Sequence, residues 1–129
     1  MTQKHLALIA HDSKKEALAQ WVADHHDILE QHRVFCTATT AGVIKERGPK
    51  IQITATKSGP LGGDQQVGAM IAEGQVDALV FFIDPLSPHP HDVDVKALSR
   101  LATVYDLPMA YSRATADLIV ASGFLDTTA

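Results

Sequence analysis

The stretch ALVFFI, residues 78–83, decides the fold class, because it is the longest unbroken apolar run in the chain. A run of this length that ends at Asp84-Pro85 predicts a buried strand. The stretch LALIA, residues 6–10, is also almost continuously apolar, which is typical of a strand buried on both faces. Strands of that kind lie in parallel sheets that helices cover on both sides. The two runs therefore predict an α/β fold.

Other apolar runs alternate with helical patterns on both sides of these two strands. Further strands are predicted at residues 34–37, 51–55 and 107–110. Helices are predicted at 14–25, from 39 or 40 to 48, and at 65–73, 92–105 and 114–121. The alternation predicts a parallel sheet with helices on both faces.

Composition limits what this chain of 129 residues can do. Its length suits a single domain over residues 1–129, and 46% hydrophobic residues supply a core, which excludes a disordered chain. A net charge of −4 without a Lys/Arg run argues against nucleic acid or an anionic membrane surface as partner. The apolar run at 6–10 is too short for a signal peptide or a membrane span, so we expect a cytoplasmic protein. Cys36 is expected to be a buried hydrophobe.

Polar residues follow four of the predicted strands. Parallel sheets bind ligands beyond the carboxyl ends of their strands, so these residues are the candidate site. They are His11, Asp12 and Lys15 after the first strand, Thr37, Thr39 and Thr40 after the second, Ser58, Gly59 and Asp64 after the third, and Asp84, His89, His91, Asp92 and Asp94 after the fourth. Their concentration at one edge is the main functional signal.

The threonines and the Ser58-Gly59 pair resemble a phosphate cradle. Hydroxyls and helix N-termini donate hydrogen bonds to phosphate oxygens, glycine lets the backbone approach closely, and Lys15 adds a positive charge. The plainer interpretation is that the threonines cap a helix and Ser58-Gly59 forms a turn. No GxxxxGK[ST] or GxGxxG motif is present, so a nucleoside triphosphate or dinucleotide is not indicated.

Asp64 and His91 are the candidates for acid–base chemistry. Asp64 is either a general base or a helix N-cap, and His91 is either a proton-transfer group or an ordinary loop histidine. Three further carboxylates are bases, orienters of His91 or caps: Asp12, Asp84 and Asp94. The segment 89–94 contains metal-ligand types, but no second cluster supports a metal site, and none is predicted. The other histidines, His5, His25, His26 and His32, are expected to be solvated, whereas Trp21, Phe81 and Phe82 are expected in the core.

The sequence resembles a known protein family. The stretch SGPLGGDQQVGA, residues 58–69, resembles the signature of methylglyoxal synthases. The stretches at residues 84–86 and 90–98, DPL and PHDVDVKAL, strengthen the resemblance. It extends to residues 7–12, Lys15, 37–40 and 114–117, and so covers roughly residues 4–122.

The resemblance implies conversion of dihydroxyacetone phosphate to methylglyoxal and inorganic phosphate without a cofactor. It also implies a homohexamer and a three-layer α/β/α fold with a five-stranded parallel sheet. By position, it makes Asp64 the catalytic base and His91 a substrate-binding and proton-transfer residue. The implied substrate contacts are His11, Lys15, Thr37, Thr39, Thr40, Ser58 and Gly59, and the implied supporting carboxylates are Asp12, Asp84 and Asp94.

The sequence departs from the family pattern at one position, and two other functions are also compatible with it. Some members carry an arginine beyond the last helix that reaches a neighbouring subunit, and none of Arg33, Arg47, Arg100 and Arg113 matches it. A non-catalytic regulatory module of the same fold, like the one that closes carbamoyl-phosphate synthetases, is the first alternative. The pairing of Asp64 with His91 favours an enzyme, because a sensor does not need it. A metal-dependent, phosphatase-like hydrolase is the second alternative.

Overall fold

The sheet has five parallel strands, as predicted. The computed structural model describes residues 3–87 and 92–127, without the side chain of Asp92. The strands are β1 (His5–Ala10), β2 (Arg33–Thr37), β3 (Gln52–Thr56), β4 (Ala78–Phe82) and β5 (Met109–Ala110). They lie in the order β3-β2-β1-β4-β5, and every neighbouring pair is parallel.

Helices cover both faces of this sheet and make three layers. The helices are α1 (Lys15–Asp24), α2 (His26–Leu29), α3 (Ala38–Lys45), α4 (Gly63–Ala72), α5 (Asp92–Val104) and α6 (Arg113–Ala121). Residues of α1, α2, α3 and α6 pack on one face, and residues of α4 and α5 pack on the other. Successive residues of β1 serve the two cores in turn, since Leu8 lies in the first and Ala7 and Ile9 in the second.

The predicted core residues are buried. Trp21 and Phe81 are 1% exposed and Phe82 is 3% exposed. Cys36 is fully buried, and burial raises the pKa of its thiol to about 12, so it remains a protonated, unreactive thiol. In the part of the chain that the structure describes, no helix has the length and apolarity needed to cross a membrane.

Several helix boundaries differ from the prediction. The predicted helix over 14–25 is α1, preceded by a 3-10 turn at Asp12–Lys14, and α2 was not predicted. α3 begins at Ala38, so Thr37 rather than Thr39 or Thr40 occupies the N-cap position. α4 begins at Gly63, two residues early, because residues 62 and 63 are glycines that propensity alone assigns to a loop.

The prediction that His32 is solvated is wrong. Its ring is fully buried: Nδ1 accepts a hydrogen bond from the amide of Lys4 at 2.9 Å, and Nε2 lies 2.7 Å from the carbonyl oxygen of Leu125. Since Nδ1 accepts, Nε2 must carry the proton and donate it to that carbonyl. Local sequence places His32 in a turn before β2, but the C-terminal segment folds over it. The other three, His5, His25 and His26, are half-buried.

Candidate active site

A cavity opens where the order of the strands reverses. The chain runs outward from β1 to β2 and β3, then returns to build β4 and β5 on the other side of β1. Such a reversal leaves a crevice at the carboxyl ends of the strands. The cavity there has a volume of about 540 Å³. Its lining is Ile9, Ala10, His11, Asp12, Ser13, Lys15, Thr37, Thr39, Ser58, Gly59, Pro60, Asp64, Phe81, Asp84 and Ser87.

Most of the predicted site residues line this one cavity. Those that do are His11, Asp12, Lys15, Thr37, Thr39, Ser58, Gly59, Asp64 and Asp84. Thr40 and Asp94 are not among the lining residues. His89 and His91 lie outside the described residues, and so does the side chain of Asp92. The expected approach of Asp64 to His91 therefore stays a prediction.

Asp64 lies in the first turn of α4 and is only 6% exposed. Gly62, with a φ of +102°, takes the N-cap position instead of Asp64. A β-carbon at Gly63 would lie 1.8 Å from the carbonyl oxygen of Lys57, so only glycine lets the helix begin there. The amide of Gly63 also donates to the carbonyl of Ser58 at 2.8 Å. The two glycines thus bring the carboxylate of Asp64 into the cavity wall.

The threonine turn gives the cavity a wall of hydroxyl groups. Thr37 ends β2 and occupies the N-cap position of α3, whose first amides have no partner within the helix. Its hydroxyl donates to the hydroxyl of Thr40 at 3.2 Å, and Thr40 is fully buried. Thr39 lines the cavity beside Thr37. Thr40 therefore orients Thr37 from behind.

Lys15 and Asp12 form an ion pair at the start of α1. The side chain of Lys15 is 12% exposed, whereas that of Asp12 is fully exposed. Both residues line the cavity, but the lysine side chain is largely enclosed whereas its carboxylate partner is exposed.

His11 has a defined tautomer. The amide of Asp84 donates to His11 Nδ1 at 3.0 Å, so a neutral imidazole carries its proton on Nε2. The ring of Phe81 packs edge-on against His11 with centroids 5.2 Å apart. His11 is therefore held as a neutral hydrogen-bond donor through Nε2.

Asp84 accepts hydrogen bonds from three described residues. Ser13 Oγ lies 2.6 Å and Ser87 Oγ 2.9 Å from Oδ2, and the amide of Leu86 donates to Oδ1 at 3.0 Å. The hydroxyl of Ser13, the amide of Leu86 and the hydroxyl of Ser87 lower the pKa of Asp84 to about 2. The group is ionised at neutral pH and is a weak base. Ser13 and Ser87 were not predicted, although both follow strands that end at this edge.

Asp94 lies away from the cavity. It stands in the first turn of α5, where its Oδ1 accepts a hydrogen bond from Gln65 Nε2 at 2.7 Å. Both residues line a groove between α4 and α5, and Asp64 lies at the same groove. Asp94 thus joins the first turn of α5 to the turn that carries Asp64. Within residues 3–87 and 92–127, no three His, Cys, Asp or Glu side chains are grouped to hold a metal ion.

This fold and edge define a class, the small parallel α/β/α domains with a polar crevice beyond the carboxyl ends of their strands. The family model described as MGS-like domain matches residues 17–111. A methylglyoxal synthase of Oleidesulfovibrio alaskensis is 53% identical over 123 residues, which cover 95% of this chain and 84% of that protein. One from Brucella ovis is 57% identical over 121 residues, or 93% and 97% of the two chains.

Solved structures agree with the sequence comparison. The crystal structure of methylglyoxal synthase from Elizabethkingia anophelis superposes with a TM-score of 0.90 at 47% identity, over 97% of this chain and 82% of that chain. The chain belongs to the methylglyoxal synthase family, and it is an enzyme.

Proposed function

We propose that the chain is a lyase that converts dihydroxyacetone phosphate into methylglyoxal and inorganic phosphate. The observation that carries this proposal is a buried carboxylate, Asp64, in the same cavity as the hydroxyls of Thr37 and Thr39 and the ammonium of Lys15. A base beside an anion-accepting wall suits proton abstraction from a phosphorylated ketone. The similarity to methylglyoxal synthases supports the same product.

In this proposal the wall of hydroxyl groups binds the phosphate. The hydroxyls of Thr39 and Ser58 donate to its oxygens, together with the amides at the start of α3. The hydroxyl of Thr37 also donates to phosphate once its hydrogen bond with Thr40 reverses, so that Thr40 becomes the donor to Thr37. Lys15 leaves Asp12 and pairs with the dianion, which carries more charge than one carboxylate. The backbone of Gly59 has no side chain in the way and lets the ester lie close to Asp64.

Asp64 acts as the general base. It removes a proton from the hydroxymethyl carbon next to the ketone, and the electron pair moves onto the ketone oxygen. His11 donates to that oxygen from Nε2, as a neutral imidazole, and His91 transfers a proton there. The product of this step is an enediol phosphate.

Phosphate elimination follows from the torsion at the ester bond. If the C–O bond to phosphate stands perpendicular to the enediol plane, the π electrons overlap the breaking bond and phosphate leaves as an anion. The enediol hydroxyl on the terminal carbon gives up its proton in the same step. The resulting enol then loses its remaining hydroxyl proton and gains a proton at carbon to become methylglyoxal. The hydroxyl wall and Lys15 hold the phosphate in this torsion and stabilise the leaving charge.

The remaining carboxylates assist without touching the reacting carbon. Asp12 holds Lys15 in the empty site, Asp84 orients His11 through its amide, and Asp94 holds the first turn of α4 through Gln65. The proposed reaction needs no cofactor. By analogy with the family we propose a homohexamer that works in the cytoplasm, where triose phosphates occur.

The test is incubation of the purified protein with dihydroxyacetone phosphate while methylglyoxal and phosphate are both measured. Equal amounts of the two products, unaffected by EDTA and lost in Asp64→Asn, are expected. Phosphate release without methylglyoxal would contradict the proposal and favour a phosphatase-like hydrolase. Binding of inorganic phosphate without either product would identify a regulatory module instead.

A further inference from the structure

Side chains continue the connection between β1 and β4 beyond the end of their backbone pairing. In the described part of the chain, the last backbone hydrogen bond between these segments joins the amide of His11 to the carbonyl of Phe82 at 3.1 Å. Two residues beyond Phe82, the amide of Asp84 donates to the ring of His11 at 3.0 Å. Two residues beyond His11, the hydroxyl of Ser13 donates to the carboxylate of Asp84 at 2.6 Å.

The carboxylate of Asp84 joins two segments that are 71 residues apart in sequence. Its Oδ2 accepts from Ser13, in the 3-10 turn after β1, and at 2.9 Å from Ser87, in the loop after β4. Its Oδ1 accepts from the amide of Leu86 at 3.0 Å. We refer to Ser13, Asp84 and Ser87 together as the Asp84 clip. All three line the cavity.

We infer that Ser13 and Ser87 are positioning residues of the active site, which act through Asp84 to hold His11 and the turn that precedes Lys15. This inference rests on the proposed function. The clip fixes the carboxylate, the carboxylate fixes the turn at Asp84, and the amide of that turn orients the imidazole of His11. Loss of either hydroxyl leaves the carboxylate of Asp84 less firmly held. The imidazole of His11 then loses its fixed orientation.

The charge of Asp84 supports a positioning role over a role as base. Hydrogen bonds from Ser13, Leu86 and Ser87 lower its pKa to about 2, so it stays ionised and holds a proton only weakly. A carboxylate in a cavity that admits a phosphate ester also repels the ligand. Two hydroxyls directed at one of its oxygens offset part of that charge.

Activity measurements on Ser13→Ala, Ser87→Ala and the double variant test the inference. We expect kcat for dihydroxyacetone phosphate to fall about fivefold in each single variant and about 100-fold in the double variant, since small displacements of positioned groups cost that much. KM should change less than kcat, because Asp84 holds His11 through a direct hydrogen bond but holds Lys15 only through the turn that precedes it. Ser13→Thr, which keeps the hydroxyl, should retain wild-type kcat. Ser112→Ala is the matched control, because Ser112 is exposed and its side chain makes no cap hydrogen bond.

A second measurement does not depend on the reaction. Carboxyl ¹³C and imidazole ¹⁵N NMR should show the pKa of Asp84 rising toward its usual value in the alanine variants, together with a changed Nδ1 signal of His11. Wild-type kcat in a folded double variant whose Asp84 pKa has risen would overturn the inference. If the wild-type chain does not turn over the substrate, the proposed function fails, and an unchanged Nδ1 signal in the double variant would then overturn the inference separately.

Discussion

The carboxylate of Asp64 lies directly against the backbone of Gly59. A β-carbon added at residue 59 would lie 3.5 Å from Asp64 Oδ1. The 3-10 turn at Gly59–Leu61 and the first turn of α4 are therefore packed as one unit, with the carboxylate between them. The proposed base and part of the proposed phosphate wall thus come from a single stretch of chain, which limits how far they can move apart.

Replacement of Asp64 by asparagine should abolish turnover while the site stays intact. Asparagine has the shape of aspartate but cannot take the proton, so we expect kcat to fall by about 10³-fold or more. Affinity for phosphoglycolohydroxamate, measured calorimetrically, should be retained. Asp106→Asn is the matched control: Asp106 is exposed, and its φ of +54° suits asparagine. Near-wild-type turnover in Asp64→Asn would remove Asp64 as the base.

Replacement of Lys15 by glutamine should weaken phosphate binding. Loss of the one cavity-lining ammonium among the described residues should lower the affinity for inorganic phosphate about tenfold to 100-fold. The rise in Tm at a fixed phosphate concentration should shrink accordingly. Lys14→Gln is the control, because Lys14 is adjacent in sequence but does not line the cavity. Equal loss in both variants would argue for a general charge effect.

Replacement of Gly63 by alanine should damage both stability and activity. The new β-carbon would meet the carbonyl of Lys57, so α4 must shift, and we expect the free energy of unfolding to fall by about 2–3 kcal/mol. Gly42→Ala should instead raise it by about 0.5–1 kcal/mol, because Gly42 lies within α3 and nothing is within 4 Å of the added carbon. Urea denaturation measures both, and equal effects would contradict the account of Gly63.

Replacement of His32 by leucine should destabilise the protein far from the cavity. The substitution leaves the part-buried amide of Lys4 and the buried carbonyl of Leu125 without a hydrogen bond, which should cost about 2–4 kcal/mol in unfolding free energy. His5→Ala should cost less than about 1 kcal/mol, because the hydrogen bond of its ring to Gln75 is exposed. Denaturation followed by circular dichroism distinguishes the two. A small effect of His32→Leu would mean that the C-terminal segment contributes little.

Acid stability should depend on Asp117, which joins α6 to α1. Burial raises the pKa of Asp117, but hydrogen bonds and charge from His25 and Arg113 outweigh it, and the pKa is lowered overall. Because the pKa of Asp117 is lower in the folded state, its ionised carboxylate stabilises the fold at pH values above the unfolded-state pKa, near 3.8. This contribution is lost as the pH falls through the folded-state pKa. Asp117→Asn should therefore lower Tm at pH 6 and differ little from wild type at the lowest pH where the fold persists.

Tryptophan fluorescence provides the readout for this prediction. Trp21 is the one tryptophan in the sequence, and its indole donates to Asp117 at 3.1 Å. The wild-type unfolding transition should move with pH and the Asp117→Asn transition should move less. Glu46→Gln, at the exposed end of α3, should track the wild type. A constant difference in Tm across the pH range would contradict the linkage.

Much of the candidate site was predictable because strand ends meet at one edge of a parallel sheet. That rule brought His11, Lys15, Thr37 and Asp64 together without knowledge of any contact. Asp94, which the same rule included, is not among the cavity-lining residues; it lies in the first turn of α5, where its carboxylate accepts a hydrogen bond from Gln65. The rule did not identify Ser13, because nothing in the sequence distinguishes a turn serine that faces solvent from one that donates a hydrogen bond to a carboxylate.

The order of apolar and polar residues alone determined the parallel sheet, its helices and the edge where the site lies, since these follow from the period of each segment and from the direction of its strand. Only the tertiary structure decided which atoms meet. The burial of His32 depends on Leu125, 93 residues away, and the state of Asp84 depends on Ser13, 71 residues away. Contacts between distant segments depend on how whole helices and strands pack against one another, and local sequence patterns do not predict that packing.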